Sequence, residues 1–219
     1  MRLSLSAMVH SGRDGLTEVV ERFQARAGLA PEKKMTMHIT REALSPVVPK
    51  RPTPWWSAPA LWLAMITMGL MAGLFYAFAV AVMPALAGAD DRTFVLVMQK
   101  INRTIENPVF FVTFFGAFVF TGAAAIARHR LGARAAARWI LAALALYIVA
   151  LAITMGVNVP LNEELARAGD PARIADLAKV RGEFEGVWVP ANVARALACT
   201  LAVACLARAT TPRVRAGRS

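Results

Sequence analysis

Long apolar stretches alternate with shorter polar ones through most of the chain. No residue with a formal charge occurs at 52–89, 108–127 or 139–162. About 20 apolar helical residues cross the hydrocarbon core of a bilayer, where the backbone must satisfy its own hydrogen bonds. The pattern therefore predicts an all-α fold, an integral membrane four-helix bundle. An ordinary soluble enzyme and a disordered chain are excluded.

Four transmembrane helices fit the pattern, at about residues 59–83, 108–127, 139–157 and 189–207. Together they predict a membrane domain at 55–208, preceded by a polar, disordered cytoplasmic tail at 1–54 and followed by a basic cytoplasmic tail at 209–219. Our hypothesis is that part of the first tail results from a translation start assigned too far upstream.

The basic residues predict the orientation of the bundle. Loop 128–138 carries four arginines and no acid, whereas loops 84–107 and 158–188 mix both signs. The positive-inside rule places the arginine-rich loop and both termini in the cytoplasm, in a multi-pass protein of a bacterial plasma membrane. The net charge of +11 then faces lipid headgroups, so the expected partner is the bilayer and not nucleic acid. A homo-oligomer is compatible with the sequence.

The first outer loop, 84–107, predicts a short amphipathic helix capped by Asp90. Its apolar stripe comprises Phe94, Val97, Met98, Ile101 and Ile105. A second, polar stripe comprises Gln99, Asn102, Arg103 and Glu106. Two interpretations stay open. The helix lies in the membrane interface with its polar face in water, or the polar face lines a cavity.

The second outer loop begins at Pro160, which is expected to end the third helix. Asn158 and Asn162 flank this break. Their amides either hydrogen-bond to exposed backbone carbonyls or face a ligand. Asp170 followed by Pro171 predicts the start of another short amphipathic helix.

Arg195 lies within the fourth span, about 9 Å from its outer end at 1.5 Å per residue. An arginine at such depth normally faces the bundle interior or a wet cavity. One interpretation is that Arg195 forms an anion site with Asn192, which lies one turn away. The alternatives are that its side chain snorkels to the outer interface or hydrogen-bonds to helix ends. Trp188 is either an interfacial anchor or a site residue. Candidate partners for Arg195 are Glu106, Glu163, Glu183, Glu185, Asn102, Asn158 and Asn162.

Helix packing and metal chemistry leave weaker signals. Four glycines in the first two spans predict close approach between helices, Gly69, Gly73, Gly116 and Gly122. The sequence contains no metal-ligand cluster and no glycine-rich phosphate loop. We therefore expect neither a metal nor another cofactor.

Several motifs together carry a family resemblance. In order, they are residues 73–86 (GLFYAFAVAVMPAL), 98–103 (MQKINR), Asn107-Pro108, 158–162 (NVPLN), and Trp188 with Asn192 and Arg195. Over about residues 61–207 the chain resembles the anthrone oxygenase-like family of small four-helix membrane proteins.

The resemblance implies cofactor-independent oxidation of an anthrone by dioxygen. Because an anthrone enolate reacts with dioxygen directly, the protein would need only to bind a flat apolar molecule, remove a proton and stabilise an oxyanion. On this basis Arg195, Asn192 and Asn158 would hold the oxyanion. Tyr76 and Trp188 would wall the substrate, with Gln99, Asn102, Arg103 and Asn162 as further contacts.

The chain departs from the family pattern in its fourth helix. That helix usually reads Trp-Asn-His-x-Arg, but Ala191 and Val193 stand at the tryptophan and histidine positions. The histidine would be the natural proton acceptor. In its absence, the resemblance implies Glu106 or Glu163 as the base. The alternative to an oxygenase is a non-catalytic membrane protein, either a binder of a lipid or small molecule or an accessory subunit.

Overall fold

The computed structural model describes residues 54–211, so the predicted tails lie almost entirely outside the described residues. Five helices make up this part of the chain: α1 (Ser57–Ala87), α2 (Asp91–Ile105), α3 (Pro108–Arg130), α4 (Arg134–Arg167) and α5 (Leu177–Thr210). All except α2 are long and apolar enough to cross a membrane. The prediction of an all-helical integral membrane bundle is thereby confirmed.

Helix α4 does not end at Pro160, contrary to the prediction. It continues to Arg167 through a wider π-helical turn, Thr154–Asn158, in which the Val159 N–H donates to the Thr154 carbonyl. A proline cannot donate to the residue four positions earlier, and its ring crowds that carbonyl. A wide turn immediately before Pro160 relieves this conflict, so the helix survives.

Helix α1 contains the same device. Its π-helical turn, Phe78–Val82, is closed by the Met83 N–H donating to the Phe78 carbonyl, and Pro84 follows. Such turns inside α-helices are frequent at functional sites. The two π turns lie in the same end of the bundle as α2, which we call the α2 end.

The predicted start at Asp170 is also wrong. Pro171 lies in a turn, and the Asp170 side chain accepts a hydrogen bond from the Ala172 N–H. Asp176 instead caps α5 by accepting from the Lys179 N–H. Consequently the second outer loop contains no separate amphipathic helix. Its polar residues lie on the extended ends of α4 and α5.

Alanines bring the membrane helices together. The core contains Ala64, Ala117, Ala143 and Ala202 among larger buried side chains. Of the predicted close-contact glycines, only Gly116 has neighbours that an added methyl group would meet, the side chains of Phe120 and Thr67. Glycine is therefore not the general spacer that the sequence suggested. Alanine fills that role, as a small residue that lets helices approach.

Helix α2 packs across one end of the bundle, and Asp90 caps it as predicted. The Asp90 carboxylate accepts from the Thr93 hydroxyl and N–H, and these bonds lower the pKa of Asp90 below its usual 3.8. Phe94 and Met98 are fully buried against α5 residues such as Phe184. The apolar stripe of α2 thus packs against the other helices of the bundle.

Candidate ligand-binding cavity

All five helices contribute to a cavity of about 330 Å³ at the α2 end. Small-molecule sites typically measure ~300–1,000 Å³ and combine apolar walls with few polar groups. Here phenylalanines dominate the walls, with Phe75 and Phe78 from α1 and Phe110, Phe111, Phe114 and Phe115 from α3. The polar residues are Asn102, Glu106, Thr154, Asn158, Asn162, Asn192 and Arg195.

Arg195 lies inside the bundle with 5% of its surface exposed. One terminal nitrogen, Nη2, donates to Asn192 Oδ1 at 3.0 Å, and Nη1 lies 3.4 Å from the Thr154 hydroxyl. The guanidinium carbon is 4.4 Å from the ring centre of Phe75 and 5.4 Å from that of Trp188. Burial at this level excludes snorkelling, and no hydrogen bond latches Arg195 to a helix end in the described part of the chain.

The charge of Arg195 is not balanced by a carboxylate. Within residues 54–211, no acidic side chain forms an ion pair with it. Three of its predicted acidic partners pair elsewhere, Glu163 with Arg167, Glu183 with Lys179 and Glu185 with Arg181. Removing an unpaired cation from water is costly, and the two aromatic rings offset only part of that cost. The cavity therefore favours an anion.

Two asparagines complete the polar corner of the cavity. Asn192 Nδ2 donates to the Phe75 carbonyl at 3.0 Å, which ties α5 to α1 and turns its oxygen toward Arg195. Asn158 Nδ2 reaches the Trp188 carbonyl at 3.4 Å. The π turn ending at Asn158 carries this amide, and also Thr154, into the wall.

Three buried polar atoms on the cavity walls lack a hydrogen-bond partner: Arg195 Nε, Asn158 Oδ1 and Asn102 Nδ2. Buried polar atoms are normally satisfied, so each such exception needs an explanation. Their residues come from α5, α4 and α2, and all three residues line the same cavity. A bound molecule with both accepting and donating groups would satisfy them together.

Residues 110–205 match the sequence model of the family described as anthrone oxygenase. This match spans α3, α4 and most of α5, and therefore includes Asn158, Asn192 and Arg195. This part of the chain is similar to the anthrone oxygenase family. No curated protein and no solved structure matches the chain.

Seven of the predicted site residues line the cavity: Asn102, Glu106, Asn158, Asn162, Trp188, Asn192 and Arg195. Helix α2 thus contributes from both of its stripes, since Ile101 and Ile105 also line the wall. Trp188 Nε1 donates to Asn162 Oδ1 at 2.9 Å, which fixes the orientation of the buried indole.

Four predicted site residues lie outside the cavity walls. Tyr76 is 60% exposed on the outer face of α1. Gln99 is buried outside this cavity, where its amide nitrogen Nε2 donates to the carbonyls of Leu165 and Gly169. Arg103 lines a separate surface groove, and Glu163 pairs with Arg167 in an exposed position. Glu106 is consequently the carboxylate that the described residues place on the wall.

The phenylalanines and Thr154 are the site residues that sequence reasoning missed. A phenylalanine-rich span signals only lipid contact or packing unless the facing helix is known. Thr154 resembles any helical threonine, and its hydroxyl donates to the Ala150 carbonyl. Only the cluster of phenylalanines at the start of α3 offered a signal.

Position 193 bears on the missing family histidine. Val193 is exposed and does not line the cavity. A side chain at this position projects away from Asn192 and Arg195, since successive helical residues are rotated by about 100°. The replacement of the family histidine by Val193 therefore leaves the lining of the cavity unchanged. Residues 54–211 also contain no cluster of three or more potential metal-ligating side chains.

Proposed function

We propose that this chain binds a flat aromatic ketone of the anthrone class and oxidises its enolate to the quinone with dioxygen. The observation that carries the proposal is Arg195, a buried cation without a carboxylate partner at an aromatic cavity. The family match to anthrone oxygenase supports this substrate class. An enolate oxygen would provide the negative charge that the site favours.

The reaction balances without an added cofactor. The base removes one proton from the methylene carbon opposite the ketone, which leaves an enolate. The enolate gives one electron to dioxygen, and the two radicals combine to form a carbon–oxygen bond. Loss of the second methylene proton and cleavage of the oxygen–oxygen bond release water. In total the ketone and one dioxygen give the quinone and one water.

The residues at the cavity have distinct roles in this scheme. Arg195 Nε donates to the developing oxyanion, and Asn192 holds the guanidinium in place from its own helix. The Phe75 ring, already 4.4 Å from Arg195, packs against the flat ring system. Glu106 serves as the base, and the unpartnered Asn102 Nδ2 gives a second donor on the same helix.

The test is turnover of anthrone by the purified protein in lipid nanodiscs. Quinone formation should exceed the buffer rate, and Arg195→Met should reduce the excess by about 10²–10³-fold, as loss of an oxyanion donor does. Arg167→Gln is the matched control, because this arginine is exposed in a pair with Glu163. Thermal unfolding checks that each variant is folded. Absence of any excess over buffer in the unmutated protein would contradict the proposal.

An isotope experiment tests the route. With ¹⁸O₂, the new quinone oxygen should carry the label, because it forms the carbon–oxygen bond with dioxygen. Label from ¹⁸O-water instead, after correction for exchange, would contradict the scheme.

A second candidate function is non-catalytic binding of a lipid or small molecule. It is favoured by the exposure of Glu106, whose carboxylate makes no hydrogen bond within the described residues. An exposed, unpositioned carboxylate suits a binding site as well as a catalytic one. Retention of anthraquinone without turnover of anthrone would favour this function over the oxygenase.

A further inference from the structure

The wall of the cavity is not closed equally on all sides. Toward α1 and α5 it consists of buried residues such as Phe75, Asn192 and Arg195. Toward α3 and α4 it includes side chains that are largely exposed, Phe111 (42%), Phe115 (57%) and Met155 (62%). The same side chains therefore belong both to the cavity wall and to the outer surface of the bundle.

This exposed part of the wall lies against the bilayer. Phe115 follows Pro108, the first residue of α3, by seven positions, or about 10 Å along the helix axis. α3 has 23 residues and so is about as long as the ~30 Å hydrocarbon layer is thick. Phe115 is consequently at the depth of acyl chains. An opening beside it admits molecules dissolved in lipid.

Local structure favours an opening at this place. Farther from α2, Tyr147 on α4 donates to the Phe114 carbonyl on α3 at 2.7 Å and fastens the two helices. Toward α2, Met155 lies in the π turn Thr154–Asn158, which widens α4. Methionine is unbranched and flexible, so the Met155 side chain moves aside with little hindrance.

We propose that Phe111, Phe115 and Met155 form a lateral portal through which the substrate passes between the bilayer and the cavity. This inference rests on the proposed function and specifies it further: the substrate class is an uncharged, membrane-dissolved aromatic ketone, taken up before it is deprotonated. A water-soluble anion would not use this route, because charged groups are disfavoured in hydrocarbon.

The test measures release of anthraquinone, a flat ketone that does not consume dioxygen. Proteoliposomes loaded with anthraquinone are mixed with an excess of empty vesicles, and the amount retained by the protein is followed with time. Met155→Trp should narrow the portal and slow release by about ten-fold. Phe111→Ala should widen it and accelerate release.

Each variant has a matched control on the same helix. Ile148→Trp adds the same bulk two turns from Met155, and Val112→Ala removes bulk next to Phe111. Both positions are exposed and lie outside the cavity walls. Both controls should release anthraquinone at the rate of the unmutated protein.

The outcomes separate this inference from the proposed function. Retention with equal release rates in all four variants overturns the lateral portal and leaves the proposed function intact. Failure of the unmutated protein to retain anthraquinone overturns the proposed ligand class, and the portal with it. Slower release by Met155→Trp, or faster release by Phe111→Ala, with the matched control unchanged, supports the portal, so one variant suffices if the other fails to fold.

Discussion

At Arg195, a cation buried in a membrane bundle is stabilised by aromatic rings and an amide. The Phe75 ring lies 4.4 Å from the guanidinium carbon, and Asn192 accepts from Nη2. A desolvated cation–π contact contributes about 2 kcal/mol, less than the several kcal/mol that desolvation of an ion costs. The remaining deficit is what a bound anion would remove, so the charge next to Arg195 should control the chemistry.

Replacement of Asn192 with aspartate tests that control. The new carboxylate would lie where Asn192 Oδ1 now accepts at 3.0 Å, and would neutralise Arg195 from within the helix. Anthrone turnover, measured as kcat/KM, should fall by about ten-fold or more, equivalent to ~1.4 kcal/mol. Retention of neutral anthraquinone should change little, because that ligand does not depend on an ion pair.

Asn162→Asp is the control for this substitution. Asn162 lines the same cavity but bonds to Trp188, not to Arg195. If both aspartates reduce turnover equally, negative charge anywhere in the cavity suffices, and the pairing with Arg195 is contradicted.

At the scale of helices, α2 is held over the cavity by Arg181 of α5. Its guanidinium donates to the carbonyls of Ala87 and Ala89, at the end of α1, and pairs with Asp91 at the start of α2. Arginine is suited to this role because its fork of donors serves several acceptors at once. The side chain thus joins three helices at the start of α2, whereas Asn102 and Glu106 line the cavity from the last turn and C-cap of that helix.

Arg181→Gln should loosen α2 without unfolding the membrane helices. Amide hydrogen exchange in Asp91–Ile105 should accelerate by about ten-fold, as local opening becomes easier, and anthraquinone retention should fall. Hydrogen-exchange mass spectrometry measures the first and the vesicle assay the second. Arg167→Gln, which breaks an exposed pair, should change neither. Unaltered exchange in α2 would show that Arg181 is dispensable for docking.

The features that could be predicted from the sequence are those set by local interactions. Burial of apolar residues in lipid and the cap at Asp90 depend on neighbouring residues, so the spans and α2 could be predicted. The survival of α4 through Pro160 depends on a π turn, whose signature is not visible in the residues themselves. The aromatic walls depend on which side of α3 faces α4, and the sequence contains no information about that side on its own.

At the scale of the whole molecule, four membrane-crossing helices place the two ends of the described chain on the same side of the membrane. The loop between α3 and α4 lies on that side too, with Arg128, Arg130 and Arg134. Opposite them, α2 and the cavity occupy the other side. Because Lys and Arg are retained in the cytoplasm, we expect the α2 end to face outward.

Cysteine labelling in intact cells tests this orientation. His129→Cys and Thr104→Cys introduce thiols at exposed positions on opposite ends of the bundle. A membrane-impermeant maleimide should label Cys at position 104 in intact cells, and at position 129 only after the cells are opened. The native Cys199 is buried and Cys205 is partly buried, so the unmutated protein reports the background. The reverse labelling pattern would place α2 on the cytoplasmic side. Water and the protons exchanged at the cavity would then come from the cytoplasm.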